Sequence, residues 1–317
     1  MKRNLQIPVV LFVLLLGATV AIAQEATSVR ADSSLRERAM EGDSAAQAAL
    51  AYLYEQGQGV PKAYNEAFRW YLKAAEKGEA IAQLKVGLLY FSGPGTQQDP
   101  ASGTMWVRRA AEQGQPTAQT LAAGTYLASR DYAKALDLYR KAAEGGDDQA
   151  QEVLGSIYTS GPYSDWRKVA PADLSQGVGW LRRAVESDNP NAEYSLASLY
   201  ESGRGVIQDY TEAIRLYRLA AEQGHSDSQY VLGGMYLRGE GVAANPILAY
   251  MWYNIAGAQT DGTRTFPVEM CVERRVLAER AIKLYQVADG VEQAQELSRT
   301  WRPRTRRTAG PTSSIGK

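Results

Sequence analysis

The sequence predicts an all-α chain, a right-handed superhelical solenoid of helix–turn–helix repeats with capping helices at both ends. Three observations predict it. A tyrosine recurs at Tyr54, Tyr90, Tyr126, Tyr158, Tyr200 and Tyr236, each seven residues after Gln47, Gln83, Gln119, Gln151, Glu193 and Gln229. An alanine recurs at Ala74, Ala110, Ala142, Ala184, Ala220 and Ala256, four residues after Trp70, Trp106, Leu138, Trp180, Leu216 and Trp252. From each Ala to the next Tyr the distance is always 16 residues, whereas from Tyr to the following Ala it is 20, 20, 16, 26, 20 and 20. Repetition at this period means stacked helical pairs. One tight turn fixes how the pair packs, and the other loop, which only has to reach, absorbs all the variation in length.

Along the chain, residues 1–23 read as a secretory signal. Lys2 and Arg3 precede an apolar run from Val9 to Val20, and Ala21-Ile22-Ala23 supplies a small-residue cleavage site. The run is shorter than the roughly 20 residues of a bilayer span, so export to a periplasm or beyond is expected, with no stable membrane span after cleavage. An uncleaved N-terminal anchor is the alternative. Residues 24–43 are a linker and half-repeat cap, in which Leu35 to Asp43 matches the end of a second helix. Six repeats occupy 44–263. Within them apolar residues recur at helical spacing, as in Ala46, Leu50, Ala51 and Tyr54, then Ala67, Trp70, Tyr71 and Ala74. Gly57-Gln58-Gly59, Gly93-Pro94-Gly95, Gly203-Arg204-Gly205 and Gly239-Glu240-Gly241 end first helices, since glycine tolerates positive φ. Asp99-Pro100 and Asn245-Pro246 open second helices as an N-cap followed by proline. Small residues such as Gly87 and Gly103, or Gly155 and Gly177, mark where the two helices approach. Residues 264–301 supply two capping helices, Val268 to Tyr285 and Val291 to Trp301, and 302–317 form a basic tail too polar for a core.

Composition removes most chemistry. The 317 residues are 45% hydrophobic and carry 35 basic against 35 acidic side chains, one Cys and one His. One cysteine excludes an internal disulfide framework, and one Cys with one His excludes a structural zinc site of that kind; Cys271 reads as a buried side chain. Eight basic residues lie in the leader and the Arg299–Lys317 tail, leaving an acidic body near −8. Such a body is unsuited to nucleic acid. The glycine strings lack the further residues of dinucleotide or P-loop signatures, and His225, after Gln223-Gly224, reads as a turn residue rather than a general base. No cofactor, no metal and no catalytic residue is expected. The basic tail carries a possible weak contact with anionic envelope polymers.

The strings AQLKVGLLYFSGPG with MWVRRAAEQG, and AEYSLASLYESGRGV with AIRLYRLAAEQGH, resemble the Sel-one-like repeat family, an α-solenoid related to tetratricopeptide repeats. The resemblance covers about Ser44 to Thr260. The third repeat departs from it by lacking the Gly-x-Gly loop, the fourth by an extra segment from Gly161 to Ala170, and the sixth by ending Ala256-Gly257-Ala258. Similarity to extracytoplasmic members implies a non-catalytic scaffold or adaptor that holds a protein or peptide partner of the cell envelope. Some secreted relatives are associated with β-lactam binding, so a binder or weak hydrolase of peptidoglycan-derived or β-lactam ligands is the alternative. The Ser-x-x-Lys of that chemistry occurs here only as Ser314 to Lys317, in the tail.

Stacked helical pairs line a groove with their first helices. Positions one, five and eight after the Gln/Glu marker should face it. They hold Leu84, Leu88 and Phe91, then Tyr194, Ser198 and Glu201, then Tyr230, Gly234 and Leu237. Lys85 and Arg238, one residue further along, should flank that stripe. Aromatic and apolar groups with single charges suit a protein or peptide partner; the competing reading is that these side chains widen the core between repeats. Trp166, Arg167 and Lys168 in the inserted loop form a possible second contact.

Overall fold

The computed structural model describes residues 33–159, 165–258, 267–284 and 287–304. These residues are all-helical, with fifteen α-helices, one short 3-10 turn and no strand among them. The leader, the tail beyond residue 304, and residues 161–164 of the inserted loop lie outside the described residues. The chain divides into two compact units, one ending at Ala150 and one beginning at Gln151.

In the first unit α1 (Ser33–Glu41) precedes three pairs, α2 (Ser44–Gln56) with α3 (Tyr64–Glu76), α4 (Ala80–Ser92) with α5 (Pro100–Glu112), and α6 (Pro116–Ala128) with α7 (Tyr132–Glu144). Helix α8 (Asp148–Thr159) opens in its last residues and continues into the second. There α9 (Leu174–Glu186), α10 (Pro190–Ser202), α11 (Tyr210–Glu222), α12 (Ser226–Arg238) and α13 (Pro246–Ala258) follow, closed by α14 (Val268–Leu284) and α15 (Gly290–Thr300).

The two kinds of connection are built differently. In the tight turn after α3, Gly78 at φ +95 lets its N–H reach Ala75 O while Glu79 N donates to Ala74 O. Glycine at positive φ repeats this at Gly42, Gly114, Gly146 and Gly224, and Asp188 at φ +54 takes its place after α9. In the long loop the first glycine is a left-handed cap, Gly57, Gly93, Gly203 or Gly239. Its far end is tied to the repeating tyrosine. The carbonyls of Tyr54, Tyr90, Tyr126, Tyr158, Tyr200 and Tyr236 accept the N–H of Ala63, Asp99, Asp131, Asp173, Asp209 and Asn245 at 2.8–3.0 Å. That one backbone bond fixes where the second helix starts, whatever the loop between does.

The N-cap side chains then satisfy the first free N–H groups of the second helices. Asp209 Oδ1 accepts from Thr211 N at 2.9 Å and Glu212 N at 3.0 Å, and Asp99 does the same for α5. Asp209→Ala is expected to cost about 1 kcal/mol and Asp209→Asn almost nothing. Urea unfolding reads the difference, and an equal loss in both variants would show that the cap oxygen is not what matters.

Paired glycines set the helix approach. A Cβ at Gly87 would stand 2.7 Å from Val107 Cγ2 and 3.0 Å from Gly103 O, and one at Gly177 would stand 3.0 Å from Gly155 O. The ends are closed as the pattern implies. Leu35 and Ala39 of α1 are buried against the first pair, and Cys271, Ala278, Ile282 and Ala294 close the second unit. Helix α14 still leaves Val272, Val276, Leu277 and Leu284 exposed. The segment after α15 is packed rather than loose: the Trp301 ring meets Trp252 edge-on at 6.2 Å, and Arg304 N donates to Glu222 O.

Candidate partner-binding face

The groove-facing candidates separate by unit. In the first, helix α4 is buried without a break from Ala82 to Leu89, because a helix apolar nearly all round is covered nearly all round. Leu88, 3% exposed, packs in a cluster with Leu84, Val107 and Ala118, and Phe91 lies half-buried against it. The expectation that Leu88 faces an open groove is therefore corrected: it is core. Lys85 needs the same correction. At 1% exposure it does not flank a surface stripe; its Nζ lies 3.1 Å from both carboxylate oxygens of Glu55, itself buried. Tyr71 Oη donates to Glu55 Oε2 at 2.8 Å, closing a triad from three helices. Burial, then the charge of Glu55, pushes the Tyr71 hydroxyl well above its ordinary range, so it stays a donor. The stem of Lys85 packs while its ammonium is consumed by the ion pair.

In the second unit these positions stay accessible except Gly234, which is buried, contrary to the expectation that it faces the groove. Tyr194, Glu201, Tyr230 and Leu237 are half-buried and Arg238 is exposed. The Tyr194 ring stands 5.6 Å from that of Tyr217 and 4.9 Å from that of His225, and Tyr230 meets Tyr253 at 5.5 Å, nearly edge-on. Both rings are half-buried and lean on the core. Glu201 Oε2 accepts from Tyr217 Oη at 2.7 Å. Burial first, then the bond to Glu201, drives the Tyr217 hydroxyl far up, and burial carries Tyr253 up to about 12. Arg238 Nε and Nη2 clasp Glu240 at 2.7 and 2.6 Å. A Cβ at Gly234 would touch Arg238 Nη1 at 2.9 Å and Tyr253 Oη at 3.4 Å, so the missing side chain there leaves the guanidinium lying over a notch. Tyrosine rings, one carboxylate and one guanidinium thus line a shallow amphoteric face.

Tyr217 and Tyr253 belong to second helices and were not among the expected residues. Their signal was present as tyrosines one residue after the marker aromatic or leucine, at Tyr71, Tyr217 and Tyr253. The possible second contact is partly outside view. Trp166 is half-buried and Lys168 exposed in a 3-10 turn, Asp165–Lys168; the Arg167 side chain lies outside the described residues, as do Ser314 and Lys317. His225 is an N-cap: its Nδ1 accepts Ser228 N at 3.1 Å. Among the described residues no group of His, Cys, Asp and Glu could hold a metal ion, and no helix is long and apolar enough to cross a membrane.

Among curated proteins no relative matches the chain. Among solved structures, a Sel1 repeat protein from Oxalobacter formigenes is similar, at 32% identity and a TM-score of 0.62 over 69% of this chain and 87% of that one. A protective antigen of uropathogenic Escherichia coli strains displaying an SLR fold shares 26% identity with a TM-score of 0.53. That match covers 84% of this chain, which spans 62% of that protein. The Sel1 repeat profile matches six times, at residues 44–79, 80–115, 119–147, 149–189, 190–225 and 226–261. Those six copies bracket the helical pairs whose tyrosine, alanine and glycine positions were traced above, so the chain belongs to the Sel1 repeat family.

Proposed function

We propose that this protein is a non-catalytic adaptor of the bacterial cell envelope that holds a protein or peptide partner on the face formed by α10 and α12. Sel1 repeats generally serve as protein-interaction scaffolds. The observation that carries the reading is the contrast between units: the positions that α4 closes off with Leu84 and Leu88 hold half-buried Tyr194, Ser198 and Tyr230 in α10 and α12, beside half-buried Glu201 and exposed Arg238. Tyrosine and arginine around a partly desolvated notch are the residue types that anchor protein interfaces. The envelope location rests on the leader read from residues 1–23.

Photo-crosslinking in the native host tests it. A benzophenone amino acid at position 230, close in shape to the tyrosine it replaces, is expected to capture one partner. The same group at position 218, where exposed Arg218 of α11 reaches away to the Tyr236 hydroxyl at 2.6 Å, is expected to capture none. Arg238→Ala should weaken that capture about thirtyfold, the loss of an interface anchor worth about 2 kcal/mol. Equal capture from 230 and 218, or capture indifferent to Arg238, overturns the reading.

A further inference from the structure

The triad of the first unit has an incomplete counterpart in the second. Glu55 and Tyr71 are 16 residues apart, as are Glu201 and Tyr217, and both tyrosines donate to their carboxylate, at 2.8 and 2.7 Å. Thirty residues beyond the glutamate the first unit has Lys85, whose ammonium completes the site. In the second unit that position is Val231, half-buried against the core. Glu201 Oε1 consequently accepts no hydrogen bond, and Glu201 makes no ion pair, among the described residues. Arg238 is near enough to feel Glu201, yet its fork is committed to Glu240. Glu201 and the buried Asp227 both bear on Tyr194, and with Arg238 held by Glu240 the charge of Glu201 has no cation of its own among the described residues.

We infer that the Glu201–Tyr217 pair is a receptor for an ammonium group, and that the partner held on this face inserts a lysine side chain where Lys85 sits in the first unit. This rests on the adaptor reading and specifies the partner's chemistry. The protein itself shows the occupied form: a lysine whose Nζ lies 6.0 Å from the Tyr71 ring centroid and 3.1 Å from both oxygens of a carboxylate that the tyrosine hydroxyl also bonds. In the first unit the ammonium reaches both oxygens of Glu55 although one of them also accepts from Tyr71, so the Tyr217 bond leaves Glu201 able to take an ammonium in the same way.

A library of random dodecapeptides displayed on phage, selected on the full-length protein, tests the inference. The enriched peptides are expected to carry a lysine at a fixed position, and replacing it by norleucine should weaken binding about thirtyfold or more, as for a lost partner of a desolvated ion pair. Glu201→Gln should do the same. Val231→Lys should restore the triad within the chain, leave the melting temperature at or above that of the parent, and block the same peptides. If Val231→Lys does not fold, Glu201→Gln with the norleucine peptides decides alone. Peptides that bind this face but tolerate norleucine or Glu201→Gln overturn the ammonium site and leave the adaptor reading standing; a library that yields no binder to this face overturns both.

Discussion

Lys85→Met, with Glu55 left in place, is expected to destabilise the first unit by about 3–5 kcal/mol. The residue lies on the interior side of α4 at 1% exposure, and its removal strands a carboxylate that is 6% exposed with only the Tyr71 hydroxyl for company. Breaking one half of a buried pair is far costlier than replacing both, because the remaining charge keeps its desolvation penalty and loses its Coulomb partner. The double variant Glu55→Gln with Lys85→Met should therefore recover most of the loss. Its amide oxygen still accepts from Tyr71, and methionine fills much of the lysine stem's volume. Hydrogen exchange of α2 and α4 during urea titration measures both variants. A single variant that loses less than about 1 kcal/mol, or a double variant no better than the single, would mean that the ion pair contributes little and that lysine is retained for its packing alone.

The repeat, its tight turn, its variable loop and both caps are legible in the sequence because each depends on one residue type at one spacing. Gly78 must take φ +95, Asp99 must present an oxygen to Ala101 and Ser102, and Gly87 must admit Gly103. The face is less legible, because burial at a given position depends on what the neighbouring pair brings. Leu88 and Ser198 hold the same place in their repeats, yet Leu88 joins a cluster with Val107 and Ala118 while Ser198 stays half-open. Lys85 illustrates the limit most clearly. A lysine on an amphipathic helix reads as solvated, and only the pairing of Glu55 with Tyr71, two residues on different helices, turns that position inward. The spacing of 16 and 30 residues was there to be compared between repeats one and five, but without a contact it has no meaning. The repeating Gln is similar. Its purpose emerges only in three dimensions, where Gln47, Gln83, Gln119 and Gln229 each donate Nε2 to the carbonyl eight residues earlier, at 2.9, 3.1, 3.4 and 3.0 Å.

Glu193 breaks that rule, and from it follows a pH dependence confined to the second unit. It stands in the glutamine position, fully buried, with Oε2 accepting from Gln223 Nε2 at 2.8 Å and Oε1 buried without a partner. Gln83 shows what the site is shaped for: its oxygen accepts from Gln113 at 2.8 Å while its nitrogen donates to Ala75 O. A carboxylate can play only the first part, whereas a carboxylic acid can play both, with the carbonyl of Val185 in register as acceptor. Burial is the largest cause that raises Glu193 from 4.5 to about 7; Asp188 adds to it and Arg304 opposes it. Because the folded value exceeds the unfolded one, the native state holds the proton between these limits. The associated stability is complete below about pH 4.5 and is lost as pH rises through about 7. Glu193→Gln supplies the missing donor permanently. It is expected to match the parent at pH 4.5 and to exceed it at pH 8 by on the order of 2 kcal/mol, measured as the gap between urea midpoints across that range. Parallel profiles for the two proteins would sink the argument, since they would place the ionised carboxylate in contact with water or with Arg304 and remove any need for a proton at this position.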